Sequence, residues 1–146
     1  MVMEISERML ANKANVKVAR MRKWRREFLH EQLDYKGLTD PMDRGKPANF
    51  SRRDAFRILL TAEVLKHGGS RIDALDKIQQ VELVGGVDTQ KRFLWRVVTR
   101  FGRDSQFTLG DWQINDDPPE INPEETVSVM LICLQAIRAE VDKMLK

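Results

Sequence analysis

Apolar residues recur at helical spacing in several stretches of the chain, and segments rich in Gly, Pro and Asp separate them. Ile5, Met9 and Leu10 predict a short helix from about Glu4 to Ala11. Asn12 to Asn15 predicts a turn, because Asn bonds nearby backbone and tolerates the left-handed region. A second helix is expected from Val16 to Gln32, with Val18, Met21, Phe28 and Leu29 as its apolar stripe and Trp24 or Arg25 between them. Gly37, Pro41, Gly45 and Pro47 then predict a β-hairpin or extended loop from Leu33 to Asn49. Ser51 and Asp54 read as a helix cap, with Phe50 as a hydrophobic staple. The helix they open carries Ala55, Ile58, Leu59, Ala62 and Leu65 on one stripe, and Gly68 and Gly69 stop it. Ser70 and Asp73 repeat the cap and start a helix with Ile72, Leu75, Ile78 and Val81 expected inward.

Beyond Val84 the pattern changes. Phe93 to Phe101 and Gln106 to Ile114 are rich in β-branched and aromatic residues around a turn at Gly102, which predicts a β-hairpin. Asn115 to Glu120 is an acidic, Pro-containing linker. Asn122, Pro123, Glu124 and Glu125 place a cap residue, a first-turn Pro and two acids at a helix start. Val127, Met130, Leu134, Ile137, Val141 and Met144 follow at spacings of 3, 4, 3, 4 and 3, a heptad seam. That seam predicts a dimerisation helix over 123–146 that pairs two copies. The rival is an amphipathic helix packed on its own core. The expected organisation is a domain over 1–81, a hairpin segment over 82–114, a linker over 115–122 and the final helix.

Composition narrows the function classes. No apolar run approaches the roughly 20 residues that span a bilayer. The opening MVMEISERM lacks the basic-then-apolar order of a signal peptide, so a cytoplasmic location without membrane contact is expected. The lone Cys133 excludes an intramolecular disulfide and a Cys-rich zinc site. His30 and His67 are isolated, and no phosphate-cradling Gly loop or nucleophile motif is present. We therefore expect no enzyme activity, no cofactor and no metal.

Charge gives the positive signal. The net charge of +3 conceals a split chain. Residues 13–53 hold 12 Lys/Arg against 5 Asp/Glu, a net +7, and residues 111–146 hold 3 against 8, a net −5. Lys17, Arg20, Arg22, Lys23 and Arg26 fan across the polar side of the second helix, with no acid among them before Glu27. Intrahelical Glu–Lys pairs do not offset them, which points to an anionic partner. The rival is a solvated face that only keeps the protein dispersed. Arg52 and Arg53 lie in the first turn of a helix, where they oppose its dipole and phosphate is a natural partner. Trp24 reads as core. Trp95, Phe101, Phe107 and Trp112 either fill a small β core or line an effector pocket, which keeps a sensor or protein-interaction module open as a second class.

The order helix, turn, basic helix, hairpin, capped helix, short helix resembles the winged helix-turn-helix of MerR-type transcription regulators. Residues 22–29, RKWRREFL, are similar to that family's Arg, aromatic, Arg-Glu and Leu pattern at the end of its recognition helix. Residues 45–54, GKPANFSRRD, resemble the wing leading into an aromatic-Ser cap, and residues 68–72, GGSRI, the turn into the next helix. The resemblance covers residues 1 to about 80, with the final helix as a looser echo. Phe28 stands where the family often has Gly, and Asn49 where a wing Arg is usual. Phage excisionases and small terminase subunits carry related winged domains.

The resemblance implies a mainly α (α+β) protein: a winged helix-turn-helix domain, a β-hairpin and a coiled-coil-like helix. It implies a homodimer on double-stranded DNA. Lys17, Arg20 and Lys23 would lie near base edges, and Arg22, Arg26, Arg44, Lys46, Arg52 and Arg53 on phosphates.

Overall fold

The computed structural model describes residues 4–35, 48–101, 106–107, 111–121, 124 and 126–145. The chain is mixed helix and strand, as expected. β1 (Ile5–Ser6) pairs antiparallel with β2 (Asn49–Phe50), setting Ile5 opposite Phe50. α1 (Glu7–Ala14) starts under Ser6, whose Oγ accepts from the Met9 amide at 3.3 Å. It stops at Asn15, which takes the left-handed conformation at φ 56°, as Asn can at little steric cost. The first helix therefore begins later than its apolar spacing indicates, because Ile5 serves a strand.

α2 (Val18–Trp24) runs on through a π-helical turn over Arg25–Leu29 and a 3-10 turn over His30–Gln32. The helix expected over 16–32 is thus regular only in its first half. Arg44, Lys46 and most of the loop expected over 33–49 lie outside the described residues. α3 (Arg52–Lys66) opens with the Ser51 Oγ accepting from the Asp54 amide at 3.2 Å. α4 (Arg71–Leu83) opens with a reciprocal Ser70–Asp73 capping box. Its inward stripe is Ala74, Ile78 and Val81, whereas Ile72, expected inward, is 78% exposed. A stripe at positions 74, 78 and 81 cannot also turn residue 72 inward at 3.6 residues per turn.

The expected hairpin forms. β3 (Phe93–Phe101) pairs antiparallel with β4 (Gln106–Phe107) and β5 (Asp111–Ile114). The C-terminal segment departs from expectation. Instead of one helix over 123–146 it forms β6 (Thr126–Cys133) on the other edge of β3, followed by α5 (Leu134–Met144). The physical reason lies in TVSVMLIC, an uncharged run with Thr126, Val127, Val129 and Ile132 branched at Cβ, a composition suited to a strand. The long β3 offers that run a second ladder edge. Leu94 then stands between Ile114 and Ile132, and Arg96 between Trp112 and Met130.

The heptad spacing thus spans two kinds of element. Val127 and Met130 belong to a strand, and only Leu134, Ile137, Val141 and Met144 share a helix face. Those four are buried, with α5 packed on α3 and α1 of the same chain. The seam expected to pair two copies fills the chain's own core. That core joins Ile5, Leu10, Met21, Phe50 and Ile58 with Leu94, Ile132, Leu134 and Val141 in one cluster. Among the described residues no helix is long and apolar enough to cross a membrane.

Leu134→Glu combined with Ile137→Glu sets two charges into this core, where each unpaired ion costs several kcal/mol. The variant should lose its cooperative unfolding transition by circular dichroism. A variant that stays fully folded and changes only its sedimentation would show that the face is an interface between copies.

Candidate nucleic-acid interface

The basic helix is held from beneath by an acid. Glu7, at the start of α1, is 6% exposed. Its Oε1 accepts from Arg22 Nε at 3.0 Å and Nη2 at 2.6 Å, and its Oε2 accepts from Arg25 Nη1 at 2.8 Å. Its amide donates to the Ala48 carbonyl at 3.0 Å. Arg25 is 3% exposed and lies 4.9 Å from the Tyr35 ring centroid and 4.8 Å from that of Phe50. Burial holds the Arg25 pKa below its ordinary value, while the bonds to Glu7 raise that of Arg22. A charge this deep is tolerated only when paired.

A second buried carboxylate fixes the far end of the same helix. Asp54, 1% exposed, accepts from the Asp34 amide at 2.8 Å and the Tyr35 amide at 2.9 Å. Arg57 donates to the Gln32 carbonyl and, at 2.9 Å, to Glu82. The segment after α2 is thereby tied to α3.

With its inner side anchored, α2 turns Arg20, Lys23 and Arg26 outward, and Lys17 stands just ahead of it; all four are exposed. None of the four has an ion-pair partner among the described residues. Arg20 lies 5.7 Å from the Trp24 ring centroid, and Trp24 is buried as expected. Beside them runs a surface cleft of about 680 Å³, walled by Lys17, by Arg20, Lys23 and Trp24 of α2, by Gly69 and by Arg71 at the start of α4.

Of the other expected phosphate anchors, the described Arg22, Arg52 and Arg53 are otherwise engaged. Arg22 belongs to Glu7. Arg52 donates to Asp88 at 2.7 Å and to Asp142 at 2.7 Å, and these bonds raise its pKa. Arg53 stands 3.5 Å from Glu82, a half-exposed and therefore weak pair. The first-turn cations of α3 thus find carboxylates within the chain. The acidic end folds back to supply some of them: Asp142 reaches Arg52, and Glu140 reaches Lys13 at 3.2 Å. Lys13 in turn holds the Glu140 carboxyl below its ordinary range.

Arg71 is the member of this face that sequence reasoning missed. A signal was present, since Arg71 occupies the same first-turn position in α4 that drew attention to Arg52 in α3. Among the hairpin aromatics, Trp112 packs on the core and lies 5.5 Å beneath Arg96. Trp95 meets Phe93 edge-on at 5.8 Å. Phe101 and Phe107 have side chains outside the description. Among the described residues no group of three His, Cys, Asp or Glu is placed to hold a metal ion.

Compared with protein-family models, with curated proteins and with solved structures, the chain matches none.

Glu7→Ala should cost about 3–5 kcal/mol in urea unfolding, because it strands Arg25 in the core. Adding Arg25→Met should recover much of that loss. A loss well under about 1 kcal/mol would mean that the buried pair contributes only as surface pairs do.

Burial pushes the Asp54 carboxyl above its ordinary range, against the two amides that favour its ionised form. Its contribution to stability is therefore full at low pH and is lost as pH rises through the raised value. Parent stability minus that of Asp54→Asn should decline as pH rises above about 4. A difference independent of pH would contradict the assignment.

Proposed function

We propose that this chain is a sequence-specific, double-stranded DNA-binding protein of the winged helix-turn-helix type, akin to MerR-type transcription regulators, with α2 as its recognition helix. One observation carries the reading. Lys17, Arg20, Lys23 and Arg26 stand exposed with no carboxylate partner among the described residues, while Arg22, Arg25, Arg52 and Lys13 nearby are all paired. A row of four exposed cations left unpaired beside others that are paired calls for an outside anion, and an α-helix fits the DNA major groove. The α1–Asn15–α2 unit supports the reading, since it joins two helices by a short turn and holds the second by its inner side.

In this proposal Arg20 and Lys23 approach base edges, Lys17 and Arg26 bind phosphates, and the paired arginines keep α2 rigid. Rigidity matters because base readout requires donors fixed to within a fraction of an ångström. Phage excisionases and small terminase subunits would use such a helix in the same way. The proposal therefore concerns duplex recognition first and transcription second. Two copies do not pair through Leu134, Ile137, Val141 and Met144 in this reading, because those side chains already fill the core.

With about four phosphates neutralised, affinity for duplex DNA should fall about 100-fold between about 50 and about 200 mM salt. On a site selected from random duplexes, Arg20→Ala should cost about 1–3 kcal/mol and alter sequence preference. Arg52→Ala should lower stability and leave affinity unchanged, because its guanidinium serves Asp88 and Asp142. A flat salt response, or no duplex binding at low salt, would sink the proposal.

A further inference from the structure

We infer that the cleft between α2 and the start of α4 is a seat for a phosphate group, in which Arg71 completes a cation set begun by Lys17, Arg20 and Lys23. This rests on the polyanion reading of the same face and specifies where one phosphate sits. Four cationic side chains from two separate elements line the cleft, and no carboxylate does. Like charges gathered this way repel unless an anion enters.

The two guanidiniums are oriented by one ring on α2 and one on the π-helical turn after it. Arg20 lies 5.7 Å from the Trp24 centroid and Arg71 5.0 Å from that of Phe28. Such stacking leaves the in-plane N–H donors of a guanidinium available. Glu27 engages Nη1 of Arg71 at 2.5 Å and steadies it, while a guanidinium has five N–H donors in all.

The backbone brings Arg71 to this place. Gly68 turns at φ +83°, and a Cβ on Gly69 would stand 2.6 Å from Val64 Cγ1 and 2.9 Å from Trp112 Cζ2. Two residues without side chains therefore let the chain pass close to α3 and deliver α4 beside α2. A phosphate oxygen accepts from Arg in bidentate fashion and from Lys as a point charge, which is the donor set assembled here. The cleft's volume exceeds that of a lone phosphate and lies in the range of small-ligand pockets. Two sources have this chemistry: the phosphodiester of a nucleic-acid strand and a free polyphosphate.

The test uses the full chain, labelled for amide and indole resonances, titrated with inorganic pyrophosphate against chloride at matched ionic strength. Saturating shifts are expected at the Gly69 amide and the Trp24 indole. Arg71→Gln should weaken them about tenfold or more, as loss of a charged hydrogen bond does. Glu27→Gln separates contact from mere fastening, because removing that carboxylate should leave anion binding equal or tighter. If Glu27→Gln weakens binding as much as Arg71→Gln does, Arg71 only steadies α2 and the inference is overturned.

A short duplex is then added. Displacement of pyrophosphate assigns the seat to backbone phosphate, whereas duplex binding with pyrophosphate retained assigns it to a free polyphosphate. Absence of saturating shifts, together with unchanged duplex affinity in Arg71→Gln, overturns the seat and leaves the DNA proposal standing. Pyrophosphate binding without any duplex binding does the reverse.

Discussion

The buried carboxylate of Glu7 is the constraint on which the basic face depends. An acid removed from water must find cations, and Arg22 and Arg25 are the ones within reach. Meeting that demand fixes the roll of α2 about its own axis. Arg25 points inward between two aromatic rings, and Met21 and Trp24 follow it into the core. Arg20, Lys23 and Arg26 are then left on the outer side by helical geometry alone. The same residue gives its amide to Ala48, so the anchor also joins α1 to the β1–β2 pair. One buried acid thus orients one helix and decides which of its cations meet solvent.

That arrangement separates two populations among the cations around α2. One is internal: Arg22 and Arg25 with Glu7, Arg52 with Asp88 and Asp142, Lys13 with Glu140. The other is Lys17, Arg20, Lys23 and Arg26, which have no ion pair among the described residues, and Arg71, held by Glu27, stands beside them. The acidic C-terminal segment does not act as a separate appendage. Its α5 packs on α3 and α1 and brings two carboxylates to the basic half. The charge split along the sequence is therefore partly cancelled in space.

The sequence made local features legible and left long-range ones hidden. The Ser51 and Ser70 caps and the β3 hairpin each depend on residues close together in the chain, and each forms; of the turn expected over Asn12 to Asn15 only Asn15 leaves the helix, because α1 runs on to Ala14. The heptad misled because periodicity is ambiguous in a short apolar run. Val127 and Met130 fit a helix seam by spacing, yet the short apolar run around them suits a strand as well, and only a β3 edge more than 25 residues away decides between them. Arg22 and Arg52 misled for a similar reason. Their partners lie 15 and 90 residues distant, so nothing nearby in the chain marks them as already paired. Lys17, Arg20, Lys23 and Arg26 were found correctly as exposed cations because no acid intervenes among them locally and none arrives from afar among the described residues.

The π-helical turn over Arg25–Leu29 shows how one helix serves both populations. A regular helix brings a new residue to a given side every three to four positions. Widening the turn at Arg25 shifts every later side chain around the axis relative to α2, and such bulges recur at functional sites. Ahead of it, the regular turns carry Arg20 and Lys23 toward solvent. Within it, Glu27 and Phe28 face the start of α4 and hold Arg71 by a 2.5 Å ion pair and a ring contact of 5.0 Å. The turn keeps Arg25 between its rings and Leu29 in the core. With it, the second half becomes a clamp on another element, and the cation it holds is returned to the same cleft as Arg20 and Lys23. A neighbouring helix thus adds a further positive charge to the cleft that α2 lines.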